Sequence, residues 1–374
     1  MVSARGALFG VVLLCLLAPP GFPELKTTAE LSAIAAATSV GSAFCFSGSA
    51  EGRLTFQAEA SREVKGLVEI DATVTPGSMP EAVFEVPRAY LKARFPWFRL
   101  TAGKTRLSWG AGFVFDAGDV IFGGMTPYLD LTQADPRDKT AWLASVYVPL
   151  GDFSFFEAVG LPLMPPQPGD PSGAGSPYFP FDSLNAGGRA VAGLTGITLE
   201  AGYLYSGGRK THTPYLSVQT SLYFDLYAAA SLGIPESGAT WDELSGSLHV
   251  SWGLYRAFDL GGPGDLSVRA EAAFVPCGEW GEISGGLPAG SLGYGALVFT
   301  DFTYAPSDAF AASARSLLSP VDTSGLVLLE VSWQAFQGFW ILVDGLAMFG
   351  DDDDLFGWGR DADLAFLVTL RYRF

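Results

Sequence analysis

The sequence is poor in the side chains from which catalytic and metal sites are most often built. Its 374 residues include two histidines and three cysteines. The cysteines are too few and too scattered for a disulfide framework or a metal site, and Cys45 and Cys277 are either a pair or two free thiols. Phosphate-cradling glycine loops and nucleotide fingerprints are missing. We therefore expect no enzyme activity and no cofactor.

The chain also lacks a long uninterrupted apolar segment beyond its N-terminal region, although it is hydrophobic overall. Its mean hydropathy is +0.28, and charged residues make up 16% of it. Beyond the N-terminal region, charged residues or Gly, Ser and Pro residues interrupt every window of 18 residues, so we expect no transmembrane helix there. The most apolar run, Leu326 to Phe349, contains Glu330 and Asp344 and alternates instead. A net charge of −17 argues against nucleic acid as a partner.

The N-terminus has the features of a secretory leader. Arg5 precedes a short apolar core, Ala7 to Leu17, which is followed by two prolines. A run of three alanines ending at Ala37 extends the range in which the leader could be cut. We therefore predict three parts: a leader over 1–23 with cleavage as late as 37, an N-terminal segment over 24–38 that is either a plug or removed, and a single domain over 39–374, which the patterns described next identify as a barrel.

The C-terminal stretch alternates strictly between apolar and mostly polar or small side chains. Alternate residues of a strand point to opposite faces, so the stretch has one apolar face, over a length that suits a tilted strand crossing a bilayer. The apolar positions are Leu364, Phe366, Val368, Leu370, Tyr372 and Phe374.

A terminal Phe preceded by apolar residues at every second position resembles the C-terminal signature of outer-membrane β-barrel proteins of diderm bacteria. The resemblance implies that Phe374 and Tyr372 bind the barrel-assembly machinery and that both termini face the periplasm. It also implies lipid as the surrounding medium and leaves a homo-oligomer open, since porins are often trimers.

Other segments repeat this alternation, notably Arg53–Glu63, Leu67–Thr75 and Leu266–Phe274. Long and short connections alternate along most of the chain, as they do in transmembrane barrels. The count requires two strands within Tyr215–Leu232 and an opening strand at about Ser39–Phe46. We predict an all-β, antiparallel transmembrane barrel of 18 strands, with 16 as the alternative.

Six basic residues are concentrated within 19 positions on two neighbouring predicted strands. A basic side chain on the lipid face would cost roughly 2 to 4 kcal/mol at the midplane, so these residues should face the lumen. They are Arg88, Lys92, Arg94, Arg99, Lys104 and Arg106. The next connection, the third outer loop, supplies carboxylates at Asp116, Asp119, Asp130, Asp135 and Asp138.

This layout is similar to porins, in which the third loop folds into the barrel and sets acids against a basic wall. The segment Arg106–Asp119 also looks like a motif that recurs in porin-like families, which implies that Trp109, Gly110 and Gly112 anchor the loop. The resemblance therefore predicts a constriction formed by the six basic residues with Asp116, Asp119 and Asp130. Asp351 and Asp353 are weak candidates for a metal, and a solvated acidic loop is favoured there.

Together these observations favour a porin-like outer-membrane channel for passive diffusion of small hydrophilic solutes. Two other functions stay open. One is a hydrophobic-solute transporter of the fatty-acid type, with residues 24–37 as a hatch. The other is a surface adhesin or antigen barrel whose outer loops carry the function.

Overall fold

The computed structural model describes residues 24–40, 43–59, 63–76, 81–125, 129–133, 135–162, 184–261, 264–275, 295–351, 354–357 and 364–374. Strands account for most of them. In chain order they are β1 (Glu24–Val40), β2 (Ala43–Glu59), β3 (Val64–Thr75), β4 (Glu81–Arg94), β5 (Arg99–Thr105), β6 (Ala141–Pro149), β7 (Phe155–Leu161), β8 (Asn185–Leu194), β9 (Ile197–Ser206), β10 (Thr211–Ser221), β11 (Asp225–Leu232), β12 (Ile234–Pro235), β13 (Leu248–Asp259), β14 (Asp265–Phe274), β15 (Ala296–Ser307), β16 (Phe310–Ser319), β17 (Ser324–Phe336), β18 (Phe339–Phe349) and β19 (Leu364–Arg373).

The sheet closes on itself because β1 pairs antiparallel with both β2 and β19. The other strands pair with their neighbours in sequence, again antiparallel. The two-residue β12 continues β11 beyond Gly233 in the same register against β10, so these two segments form one strand of the wall. The result is an antiparallel barrel of 18 strands, which confirms the predicted fold and strand count.

A single short helix, α1 (Trp241–Gly246), follows β12 in the described part of the chain. Among the described residues, no helix is long and apolar enough to cross a membrane.

Side chains on the strands alternate between the two faces of the wall. Residues directly opposite each other on paired strands share a face, and Val368 of β19 lies opposite Val343 and Ala35. The apolar residues predicted from Leu364 to Phe374 are all exposed on the outside, whereas Thr369 points inward and is buried.

The N-terminal part of the barrel differs from the prediction. Residues 24–38 lie in β1, where they pair with β2 and β19, and are not a separate plug. The expected opening strand at Ser39–Phe46 instead includes the end of β1 and the beginning of β2. Alanines on both faces of β1 weaken its alternation, which is why the sequence pattern did not indicate a strand. The tight turn expected near Phe224 is present, between β10 and β11.

The inner wall is not polar throughout. Five inward-facing residues of β15, β16 and β17 are buried and apolar, namely Leu297, Phe299, Leu317, Leu326 and Leu328. Because Val327 and Leu329 of β17 face outward, this strand begins with apolar residues on both faces. Exposing this much apolar surface to water in the lumen would be unfavourable, so another part of the chain must cover it.

Two adjacent residues of β17 test the assignment of faces. Val331 is exposed on the outside, and Ser332 faces inward. We expect Val331→Lys to lower the free energy of unfolding by roughly 2 to 4 kcal/mol, because its ammonium group would lie in lipid. Ser332→Lys should have a much smaller effect. Urea unfolding in lipid vesicles measures both, and equal losses would contradict the assignment.

Candidate functional site

The long connection between β5 and β6, residues 106–140, covers the apolar wall. It is the third connection at its end of the barrel, and it folds into the lumen rather than away from it. Phe115, Ala117 and Met125 pack with apolar residues of β15 to β17 in one cluster. Ile121 and Phe122 pack with Trp109 in a second cluster, against β6, β7 and β9. The loop therefore fills one side of the barrel, and its apolar side chains hold it there.

The start of the loop is fixed to β7, β9 and β10. The Trp109 indole Nε1 donates a hydrogen bond to Glu157 at 3.3 Å, and its ring stacks on Tyr215 with 5.7 Å between centroids. The Gly110 N–H donates to Glu200 Oε1 at 3.0 Å, an oxygen that also accepts the Tyr215 hydroxyl at 2.5 Å. Two wall carboxylates thus satisfy groups that a buried loop could not leave unpaired.

Glu271 of β14 is the main fixing point on the opposite wall. Its carboxylate accepts the backbone N–H groups of Phe113, Val114 and Phe115 at 2.7, 2.7 and 2.8 Å. The Tyr227 hydroxyl donates to the same group. The Arg269 guanidinium lies 3.8 Å from the centroid of the Phe113 ring, close enough for a cation–π contact. Three successive N–H groups on one buried carboxylate fix the loop backbone across the lumen.

The two loop glycines occupy positions that other residues would not fit. Gly110 has φ +74°, and a Cβ there would collide with the Asp116 carboxylate. A Cβ at Gly112 would collide with the Phe115 carbonyl. The structure thus places Trp109, Gly110 and Gly112 where the loop enters the lumen and turns.

Asp116 and Asp119 are buried inside the loop, so neither can line a pore as predicted. Asp116 accepts the N–H groups of Gly112 and Gly118 and lies 2.8 Å from Arg137. Asp119 lies 3.9 Å from the same guanidinium. Two buried carboxylates thus share one buried arginine. Burial raises the pKa of Asp119 to about 6 despite Arg137, and it also raises the pKa of Asp116.

The later part of the loop, residues 129–138, forms its exposed side. Arg106 pairs with Asp135, and Arg88 of β4 lies 2.5 Å from Asp138. At the other end Arg315 of β16 donates to the carbonyls of Leu131 and Gln133 at 2.5 and 3.1 Å. The segment 129–138 therefore runs across the barrel from β4 to β16, with Asp130 exposed on it.

The predicted basic wall is largely, but not entirely, on the inner face. Arg88, Lys92, Arg94 and Arg99 point inward, as does Glu69 opposite Arg88. Lys104 does not, because it lies between Ala89 and Trp142 in the register, and Trp142 is exposed on the outside. The irregular backbone at Gly103, with φ +130°, directly precedes Lys104.

No protein-family model matches the sequence, and no curated protein matches it either. Several solved structures are similar to this chain. OccK2 (OpdF) of Pseudomonas aeruginosa has a TM-score of 0.57 at 10% sequence identity, and the match covers 95% of this chain and 99% of OccK2. OccAB4 of Acinetobacter baumannii has a TM-score of 0.56 at 9% identity, over 96% of this chain and 100% of that chain. The outer membrane protein OprD from Pseudomonas aeruginosa has a TM-score of 0.53 at 10% identity, and the match covers 96% of this chain and 95% of OprD.

The chain has the porin fold. At these identities the likeness concerns the fold, so the lumen has to be interpreted from its own residues. Its inward charges fall into two sets around the wall. Those under the loop are buried, and the Glu157 side chain of β7 is 6% exposed. Most of those on β1 to β4 and β19 are reached by solvent, with Arg53 at 51% and Arg371 at 42%, whereas Glu69 of β3 is buried. Solvent therefore reaches the inner face off centre, beside this second set of charges, which we call the open wall.

Wall carboxylates were the functional residues that the sequence pattern missed. Glu157, Glu200 and Glu271 fix the loop, yet in the sequence they are single acids on the polar faces of strands. Alternation predicts that Glu271 points inward but not what it contacts. Asp353 and Cys277 lie outside the described residues, as does the leader. Asp351 is exposed, and the described part of the chain contains no cluster of three metal-ligating side chains.

Removing the Glu271 carboxylate should release the loop. Glu271→Ala leaves three buried N–H groups without an acceptor, a loss on the order of 3 kcal/mol or more in docking energy. We expect a larger single-channel conductance in planar bilayers with the barrel intact. Glu85→Ala is the matched control, since Glu85 faces inward on β4 without a hydrogen bond or ion pair among the described residues. An unchanged conductance in Glu271→Ala would show that the loop does not depend on this carboxylate.

Docking of the loop should strengthen as the pH falls. Because the pKa of Asp119 is about 6 when buried and about 3.8 otherwise, its contribution is complete below 3.8 and lost as the pH rises through 6. Hydrogen exchange of the 109–125 backbone, corrected for intrinsic rates, should therefore slow by about tenfold between pH 7.5 and 5, because about one pKa unit of the shift is expressed in that interval. Asp119→Asn should reduce this dependence and leave the part that comes from Asp116, whereas Asp116→Asn should weaken docking at both pH values.

Proposed function

We propose that this protein is an outer-membrane channel through which small hydrophilic solutes diffuse passively. The observation that carries the proposal is the open wall: charged side chains point into the barrel and are reached by solvent, while the inward-folded third loop closes the opposite side. A passage lined by charge on one side and by a fixed loop on the other selects solutes by size and charge. No cofactor or energy source enters this mechanism.

The barrel fold and its solved neighbours support a location in the outer membrane. The pairing of β1 with β19, which closes the barrel, also includes the residue that we expect the assembly machinery to bind. Phe374 exchanges two backbone hydrogen bonds with Ala29 of β1, at 2.9 and 3.0 Å. We expect both termini in the periplasm. Because residues 24–40 form β1, we expect the leader to be cut before Glu24.

The ion pairs of the open wall define the proposed constriction. Arg53 lies 2.7 Å from Asp71 and 3.1 Å from Glu69, and Arg88 lies 3.6 Å from Glu69. Beside them the loop contributes Asp138, which contacts Arg88, and Asp135, which pairs with Arg106. We propose that these arginines and carboxylates line the passage together, with Asp135 and Asp138 in the role that we predicted for Asp116 and Asp119.

Within the part of the chain that the structure describes, there is no hatch of the kind on which the hypothesis of a hydrophobic-solute transporter was based. A hatch would have come from residues 24–37, and these residues are in the wall. For the adhesin, nothing in the described residues adds support. The diffusion channel is therefore the function that we put forward.

The inward basic residues provide a test. Purified protein in planar bilayers should give stepwise conductance, and Arg88→Gln/Lys92→Gln/Arg94→Gln should shift the reversal potential in a salt gradient toward cation preference, because three positive charges leave the lumen. Lys104→Gln, on the outer face, should leave the potential unchanged. Absence of conductance would overturn the proposed function, and an unshifted potential in the triple variant would place these residues outside the ion path.

A further inference from the structure

One corner of the open passage carries negative charge without a partner. Glu330 of β17 lies directly opposite Asp344 of β18, and both face inward. Asp130, on the exposed side of the loop, is close enough to interact electrostatically with Asp344. We call Asp130, Glu330 and Asp344 the acidic corner. It lies on the same side of the barrel as Arg53, because β18 is only three strands from β2 along the closed sheet.

Most other carboxylates along the open wall and the loop differ because they have a guanidinium partner, and Glu85, which has none, is exposed. Asp71 pairs with Arg53, Asp138 with Arg88 and Asp135 with Arg106. Neither Glu330 nor Asp344 has an ion pair or hydrogen bond among the described residues. Asp344 is 5% exposed, and its Oδ1 accepts no hydrogen bond, an unusual state for a buried carboxylate.

The two arginines nearest to Asp344 are committed elsewhere. Arg315 donates to the loop carbonyls of Leu131 and Gln133 and lies 3.9 Å from Asp301. Arg371 lies 3.4 Å from Glu30 of β1. Their charges reach Asp344 through space but do not occupy its oxygens. The acidic corner therefore keeps acceptor oxygens without an ionic partner, and of its three members Asp130 is exposed, Glu330 is half-buried and Asp344 is buried.

We propose that the acidic corner is a transient binding point for the cationic group of a permeating solute, and that it makes the channel prefer small solutes with an ammonium or guanidinium group. This inference rests on the proposed channel function. Like charges directly opposite on paired strands repel each other, and a cation between them relieves that repulsion. Side chains so paired have Cβ atoms about 4.5 to 5.5 Å apart, which lets one ammonium or guanidinium group contact both carboxylates.

Reversal potentials in a KCl gradient, and then in a lysine hydrochloride gradient, test the proposal. The wild-type channel should pass the cation faster than chloride in both salts. Glu330→Gln/Asp344→Asn should lower the cation-to-anion permeability ratio by about twofold or more. The single variant Glu330→Gln should lower it in the same direction if the double variant fails to assemble. Glu330→Asp should retain the preference.

Asp152→Asn/Glu236→Gln is the matched control. It removes two carboxylates as well, but from exposed positions in connections outside the wall. Its permeability ratio should equal that of the wild type. Conductance without cation preference, or a preference unchanged in Glu330→Gln/Asp344→Asn, would overturn the inference and leave the channel function in place. Absence of conductance in every variant would overturn the channel function and the inference with it.

Discussion

Backbone hydrogen bonding is the constraint on which the rest of this structure depends. In lipid, a strand edge cannot leave its N–H and C=O groups unpaired, so the sheet closes through β1 and β19. Backbone groups must also be hydrogen-bonded inside the lumen, where the buried loop has no neighbouring strand to pair with. Glu271 and Glu200 meet this requirement by accepting N–H groups of the loop. Closure of the wall and docking of the loop are thus two solutions of one problem.

Docking then divides the inner wall into two environments. Under the loop, charges are buried and must be matched, as Arg189 is by Glu157 at 2.9 Å and Glu200 at 3.1 Å. On the open wall, water screens the charges, and exposed pairs such as Arg53 and Asp71 contribute little to stability. They are available to shape the potential in the passage instead. The acidic corner stands out because a buried carboxylate there lacks any matching group.

Some of these features could be predicted from local pattern. The alternation that ends at Phe374 identified the outer face correctly, and alternating connection lengths gave 18 strands even though the opening strand was misplaced. The inward loop was expected from the resemblance of its position and of its Trp and Gly residues to those of porins. Asp116 and Asp119 were assigned to the pore because sequence shows charge and not depth. Lys104 was assigned inward because the basic residues were taken as one group, although Arg99 and Lys104 are five residues apart on one strand and therefore lie on opposite faces.

The sequence by itself therefore determined the fold class and the faces of most strands, which follow from a period of two and from residue type, both local properties. The segment that enters the lumen was indicated by its resemblance to the third loop of porins. Only the tertiary structure decided which carboxylates fix the loop, which are paired and which are left vacant. Those outcomes depend on contacts between residues far apart in the chain, such as Phe113 with Glu271 and Leu131 with Arg315. A local sequence pattern does not show which residues far apart in the chain contact each other in space.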